Sequence, residues 1–314
     1  MKPKIIFFGT PTFAVHVLKE VYEKKYIIQA VITSPDRQSG RGRKIKSSPV
    51  KNFCLDQNIK LYQPTNLKDK SFISILESYK SDLYIVVAFR MIPKVVWSIP
   101  TKGTFNLHAS LLPDYRGAAP INWALINQEK TTGVTTFLID KKIDTGNILL
   151  KSKYKIKNGE TFDSLHDNLL EIGKKLVVDT IEKLFQKNFT SQKQIEKIKI
   201  KLAPKLTKTN TKVDWNKSLI ELVAFVNGLN SYPGAWSYIK ENDKTDIFKI
   251  YETDYEYIKH EFKINQLIYD KKSIKVSHKE GFLIIKNLKL ANKKRMDSNE
   301  LLNGNVFKSK VFVL

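Results

Sequence analysis

The chain has 314 residues, 42% of them hydrophobic, and a formal net charge of +23. It is long enough for two cores, too apolar for a disordered chain, and basic enough to favour a polyanionic partner. A single cysteine, Cys54, excludes an internal disulfide and a cysteine-rich metal site and fits a reducing compartment.

No apolar run approaches the length that crosses a bilayer. The opening MKPKIIFFGTP lacks the long apolar region and cleavage site of a signal peptide, so a cytoplasmic protein without membrane contact is expected. Lys4–Phe8 (KIIFF) reads as a buried strand, and Gly9-Thr10-Pro11 turns it into a helical pattern from Thr12 to about Lys24. That turn is not a GxGxxG fingerprint, which argues against a nicotinamide site. Tyr26–Thr33 and Asp82–Phe89 are further strands, with weaker strand and helix signals at Ile59–Tyr62 and Ser71–Tyr79. Gly103–His108, Gly133–Ile139 and Asn147–Ile156 follow as strands, then a long amphipathic pattern over Phe162–Phe185 with Thr161 as its cap. Strands alternating with helices predict βαβ units and a mainly parallel α/β sheet over residues 1–187.

The texture changes near Gln186. Residues 188–208 are Lys-rich and aperiodic and read as a basic linker. Residues 209–314 open with a helical stretch at Ser218–Leu229 and continue through the turn Ser231–Trp236 into alternating segments. That pattern predicts a second, smaller antiparallel β-barrel.

Two local features need a chemical reason. Only six of the 54 basic residues are arginine, and Arg37, Arg41 and Arg43 fall within seven positions. Arginine is the side chain suited to planar recognition of phosphate and base edges. The other feature is TFNLHASLLPDYRGAAPIN, residues 104–122. Asn106 and His108 share one face at the carboxyl end of a strand, where ligands bind in open α/β sheets. A turn-forming, partly apolar loop follows, Ser110-Leu111-Leu112-Pro113, suited to an aromatic ligand. The next inter-strand loop holds Asp140 and Asp144, the latter before Thr145-Gly146. Asn106, His108 and Asp144 together supply an oxyanion donor, a titratable ring and a carboxylate to orient it. No serine or cysteine is paired with a base, so direct acyl transfer to an external nucleophile is favoured. The five histidines, 16, 108, 166, 260 and 278, show no metal-ligand spacing, and no metal is expected.

Asn-x-His, then Ser-Leu-Leu-Pro, Tyr-Arg-Gly and Asp-Thr-Gly, resembles the folate-dependent formyltransferase family. Within it, Pro35–Lys51 (PDRQSGRGRKIKSSPVK) is similar to the basic loop of the branch acting on methionyl-tRNA, and FFGTPTFA, APKLTK, VDWN and NSYPGAW match as well. The resemblance implies a Rossmann-like domain followed by an OB-like barrel that binds tRNA. It implies transfer of the formyl group of 10-formyltetrahydrofolate to the amino group of methionine on initiator tRNA. Asn106, His108 and Asp144 would be catalytic. Ser110, Leu111, Leu112, Pro113, Phe89, Arg90, Met91, Ile92 and Asp140 would contact folate. Arg37, Arg41, Gly42, Arg43 and Lys44 would contact tRNA, in a loop made pliable by Gly40 and Gly42. The AFRMIP segment and Lys142 depart from the common pattern without touching the trio. No obligate protein partner is expected, and a monomer is. The rival readings are a formyltransferase acting on a nucleotide-sugar amine, one acting in purine synthesis, and a non-catalytic RNA-binding protein. The arginine cluster and the basic second domain argue against the first two, and the complete trio against the third.

Overall fold

The computed structural model describes residues 2–39, 44–195, 198–270, 272–304, 307 and 309–314. In chain order it runs β1 (Lys4–Gly9), α1 (Thr12–Glu23), β2 (Ile27–Ile32), β3 (Arg37–Ser39), β4 (Lys44–Lys46), α2 (Pro49–Asp56), β5 (Leu61–Tyr62) and α3 (Lys70–Ser78). Next come β6 (Leu83–Val87), α4 (Lys94–Trp97), β7 (Thr104–His108), β8 (Arg116–Gly117), α5 (Pro120–Ile126), β9 (Thr131–Leu138), β10 (Ile148–Lys155) and α6 (Phe162–Leu184). The remainder is β11 (Leu202–Ala203), a 3-10 turn (Thr209–Thr211), α7 (Leu219–Gly228), β12 (Ala235–Glu241), β13 (Lys244–Tyr257), β14 (Gln266–Tyr269), β15 (Ile274–His278), β16 (Gly281–Lys289), β17 (Met296–Asp297), α8 (Ser298–Leu302) and β18 (Val311–Val313).

The chain divides into two compact units. The first comprises residues 1–117, 132–154 and 167–201, and the second residues 118–131, 155–166 and 202–314.

The first unit is built on a seven-stranded sheet in the order β10-β9-β7-β6-β1-β2-β5. β1 pairs in parallel with both β2 and β6, and β7 pairs in parallel with β6 but antiparallel with β9. The chain leaves the central β1 toward β5 and then returns to lay down β6 and β7 on the other side, which makes the β1/β6 boundary the topological switch point. Ile5, Ile6, Phe7 and Phe8 are all fully buried, so β1 is covered on both faces, as a parallel strand requires. Ile6, Phe8, Ile32, Tyr84 and Val86 pack with Leu67, Phe72, Leu76, Ile92 and Val96 into one cluster. Each such side chain contributes about 1.5–3 kcal/mol through burial. Gly173 in α6 admits the Leu107 side chain of β7, which would stand 3.1 Å from a Cβ there.

The second unit holds an antiparallel sheet in the order β13-β12-β18-β14-β15-β16-β17, and β13 also pairs with β16. That last pairing closes six strands into a barrel and removes the open edges. Phe248, Ile250, Ile274, Val276, Leu283 and Leu288 fill it, with Leu219, Leu222 and Val226 of α7 packed in the same cluster. Ser218 and Glu221 form a reciprocal capping box at the start of α7.

Two expectations change. Pro49–Lys51, expected as the end of a basic loop, opens a helix over Pro49–Asp56 whose Ser48 side chain caps the Lys51 N–H at 3.0 Å. The described part of the arginine segment is an antiparallel hairpin rather than a loop, with Arg37 opposite Lys46 and Ser39 opposite Lys44. Arg41, Gly42 and Arg43 lie outside the described residues, and of Lys44 only the backbone is described.

Candidate active site

The site lies at the carboxyl end of β7, within the first unit. The two-residue period of the strand puts Asn106 and His108 on one face. The Asn106 amide has no hydrogen-bond partner among the described residues, and its side chain is partly open to solvent. His108 is 6% exposed and edge-on to the Phe137 ring, with centroids 6.4 Å apart. Its Nε2 lies 2.8 Å from the Tyr115 carbonyl oxygen. A carbonyl can only accept, so Nε2 carries the proton and Nδ1 is the free edge.

That free edge faces Asp144, whose Oδ2 stands 3.8 Å from Nδ1. The separation is ion-pair range, beyond a direct hydrogen bond. Oδ2 instead accepts the Gly117 N–H at 2.9 Å. Asp144 itself has φ 55, a left-handed conformation that aspartate tolerates better than most residues. Two residues on, only glycine fits: a Cβ on Gly146 would fall 1.7 Å from the Leu138 carbonyl oxygen.

The loop after β7 is pinned from below. Thr135 of β9 donates its hydroxyl to the Ser110 carbonyl at 2.7 Å and accepts the Leu112 N–H at 3.2 Å. Lys151 of β10 donates to the Leu112 carbonyl. The Leu112–Pro113 peptide is cis.

The residues expected to meet folate divide accordingly. Ser110 is fully buried and donates its hydroxyl to the Asp114 carbonyl at 2.7 Å, so it shapes the loop. Leu112 packs in a small core with Phe137 and Ile148, Pro113 is also buried, and Leu111 is partly exposed. In the loop after β6, Met91 is 75% exposed while Ile92 is 6% exposed and belongs to the core. Phe89 stacks edge-on against Phe8 at 5.7 Å, and the Arg90 guanidinium lies 5.8 Å from the Phe89 ring. Arg90 donates to the Pro64 and Thr65 carbonyls. Burial, and then the charge of Arg37, lowers its pKa from the usual guanidinium value. Asp140 is exposed and closes its own turn, accepting the Lys142 N–H at 3.0 Å and the Thr145 hydroxyl at 2.7 Å.

The supports of the trio carry little signal in the sequence. Tyr115, Arg116 and Gly117 were visible only as a motif. Gln194, in the stretch expected to be a linker, is 5% exposed and reaches the same place. Nothing in a Lys-rich, aperiodic segment marks one glutamine as buried. Among the described residues there is no group of three His, Cys, Asp or Glu side chains able to hold a metal ion. No helix there is long and apolar enough to cross a membrane.

The family model described as formyl transferase matches residues 3–181, and that of the formyl transferase C-terminal domain matches residues 205–306. Methionyl-tRNA formyltransferase of Flavobacterium johnsoniae is 49% identical over 306 residues, covering 98% of this chain and 97% of that one. That of Bacteroides thetaiotaomicron is 42% identical over 306 residues, covering 96% and 95%. Among solved structures, HypX of Aquifex aeolicus in complex with tetrahydrofolic acid superimposes with a TM-score of 0.66 at 18% identity, covering 97% of this chain and 47% of that one. The sugar 3N-formyltransferase WlaRD, solved with dTDP and 5-N-formyl-THF, gives 0.63 at 22% identity, covering 94% and 100%. At such identities these two likenesses concern the fold.

Proposed function

The chain belongs to the methionyl-tRNA formyltransferase family, and on that premise we propose that it formylates the amino group of methionyl-tRNA. 10-Formyltetrahydrofolate supplies the formyl carbon when bound. The observation that carries the reading is the placement on one strand face of Asn106, whose amide has no hydrogen-bond partner among the described residues, and a histidine whose Nδ1 edge faces a carboxylate.

In this reading Asn106 donates its amide N–H to the formyl oxygen as negative charge builds there. His108 works through Nδ1, because Nε2 is held by the Tyr115 carbonyl. Its protonated ring is the second donor to that oxygen. Asp144 stabilises the charged ring and takes the proton lost by the attacking amine, directly or through one water. A bond forms between the amine nitrogen and the formyl carbon, the bond from that carbon to the folate nitrogen breaks, and that nitrogen gains a proton. Positioning and electrostatics carry the rate, with no covalent enzyme intermediate.

The loops that hold Phe89–Ile92 and Ser110–Pro113 follow the carboxyl ends of adjacent strands, β6 and β7, which supports a pterin site there. Arg37, Arg41, Gly42, Arg43 and Lys44 select the acceptor end of the tRNA. In the second unit the exposed Lys208 and Lys212 ammonium groups lie 5.2 and 6.0 Å from the ring centroid of the buried Trp236, a basic surface suited to general RNA affinity. The protein acts as a cytoplasmic monomer. The test is to compare initial rates on initiator methionyl-tRNA, elongator methionyl-tRNA and a nucleotide-sugar amine with 10-formyltetrahydrofolate. Preference for the initiator tRNA is expected; faster turnover of the sugar amine overturns the reading.

A further inference from the structure

Residues Ser191–Ile195 follow α6 and return to the site. Gln192 and Ile148 exchange backbone hydrogen bonds of 2.7 and 2.8 Å as an antiparallel bridge. In that register Gln194 stands opposite Gly146. Its Nε2 donates to the Asp144 carbonyl and to the Gly146 carbonyl, both at 2.9 Å. Its Oε1 accepts from Arg116 Nε at 3.2 Å and Arg116 Nη2 at 2.6 Å. Both amide protons and both lone pairs of Oε1 are therefore engaged.

The groups it joins are the supports of the trio. Three consecutive residues hold the two titratable members: the Tyr115 carbonyl accepts His108 Nε2, and the Gly117 N–H donates to the Asp144 carboxylate. Arg116, between them, is gripped by Gln194. The same glutamine grips the backbone of Asp144, the residue with the left-handed φ of 55. One buried amide thus ties the segment that orients His108 to the turn that presents the carboxylate.

We propose that Gln194 is a positioning residue for formyl transfer. It fixes the Tyr115–Gly117 segment against the Asp144–Gly146 turn and so sets the gap between His108 Nδ1 and the Asp144 carboxylate. This inference rests on the reading that His108 and Asp144 act in the reaction. A glutamate keeps the pairing with Arg116 but faces two carbonyls without a donor. A leucine fills the volume and bonds to neither side. An offset of about 1 Å in such a constellation costs on the order of 10²-fold in rate.

The experiment is a kinetic cycle on the full chain with Gln194→Leu, Asp144→Asn and the double variant, measuring kcat and KM for both substrates, with thermal unfolding alongside. The Leu variant is expected to lose about 10- to 100-fold in kcat, as removal of an orienting partner does elsewhere, with KM nearly unchanged. Added to Asp144→Asn, it should lower the residual rate by less than about threefold, because coupled sites are not additive. A Gln194→Leu loss that falls on KM, or that multiplies in full with Asp144→Asn, overturns the proposal. Wild-type turnover in a folded Gln194→Leu with a lowered melting temperature does so too. Near-normal turnover in Asp144→Asn alone instead sinks the reading of the site. Should the Leu variant not fold, Gln194→Glu, of the same volume, is judged by the same outcomes.

Discussion

Replacing Asp144 by Asn removes a charge while keeping the shape and one carbonyl-type acceptor. The stability cost is small, because the amide oxygen still accepts the Gly117 N–H now held at 2.9 Å by Oδ2. Exchange of a charge-assisted for a neutral bond costs about 1 kcal/mol. The catalytic cost is larger. With Oδ2 3.8 Å from His108 Nδ1, the attraction for a protonated ring lies between about 1 kcal/mol in a water-like medium and about 4 kcal/mol at a partly shielded site. That range corresponds to a rate loss of about 5- to 10³-fold if it is expressed in the transition state. The assay is initial-rate formylation of methionyl-tRNA by a variant whose unfolding curve matches wild type within the small cost above. Turnover within a factor of two of wild type would refute the reasoning and leave Asp144 as a turn residue.

Four further outcomes follow from the same geometry. Asn106→Ala removes an amide with no hydrogen-bond partner among the described residues, so kcat should fall by about 10²–10³-fold with the melting temperature unchanged; a stability loss without a kcat loss would contradict this. Gly146→Ala sets a Cβ 1.7 Å from the Leu138 carbonyl oxygen, and should cost about 3 kcal/mol or more in urea unfolding together with activity. Burial pushes the Cys54 thiol from 9.0 up to about 12. The stability of keeping it neutral is complete below pH 9 and is lost as the pH rises toward 12. The stability difference between wild type and Cys54→Ala should therefore shift against wild type over that window. Arg37→Ala should weaken binding of initiator tRNA more than of elongator tRNA; equal losses with a shallower salt dependence would mark it as general charge.

Much of the fold was legible because the central strands of the first unit are buried on both faces and stand out as apolar runs. Lys4–Gly9 and Leu83–Val87 are examples. The helix over Thr12–Glu23 carries its period plainly, and the helical stretch from Ser218 to Leu229 matches α7. The short helices Pro49–Asp56 and Pro120–Ile126 were not legible. Each opens on a proline and spans only about two turns, too few to display a period. The trio could be placed because strand period and loop position do not depend on distant contacts. Its supports could not. The Tyr115 carbonyl and the Gly117 N–H are backbone groups with no signature in side-chain chemistry. Gln194 reaches Arg116 from 78 positions away. Ser110 and Ile92 were expected at the ligand but face inward, because a motif records which residues recur together and not which of them hold the loop from behind.

The most direct measurement is formylation by the purified chain. It would be incubated with 10-formyltetrahydrofolate and initiator methionyl-tRNA, the amino-acid ester released by base, and the product identified by mass. The account predicts N-formylmethionine in amounts that rise with enzyme and time, and a large loss of rate when His108 is replaced by Ala. Unmodified methionine from the wild-type chain, or an undiminished rate in a folded His108→Ala variant, would contradict it.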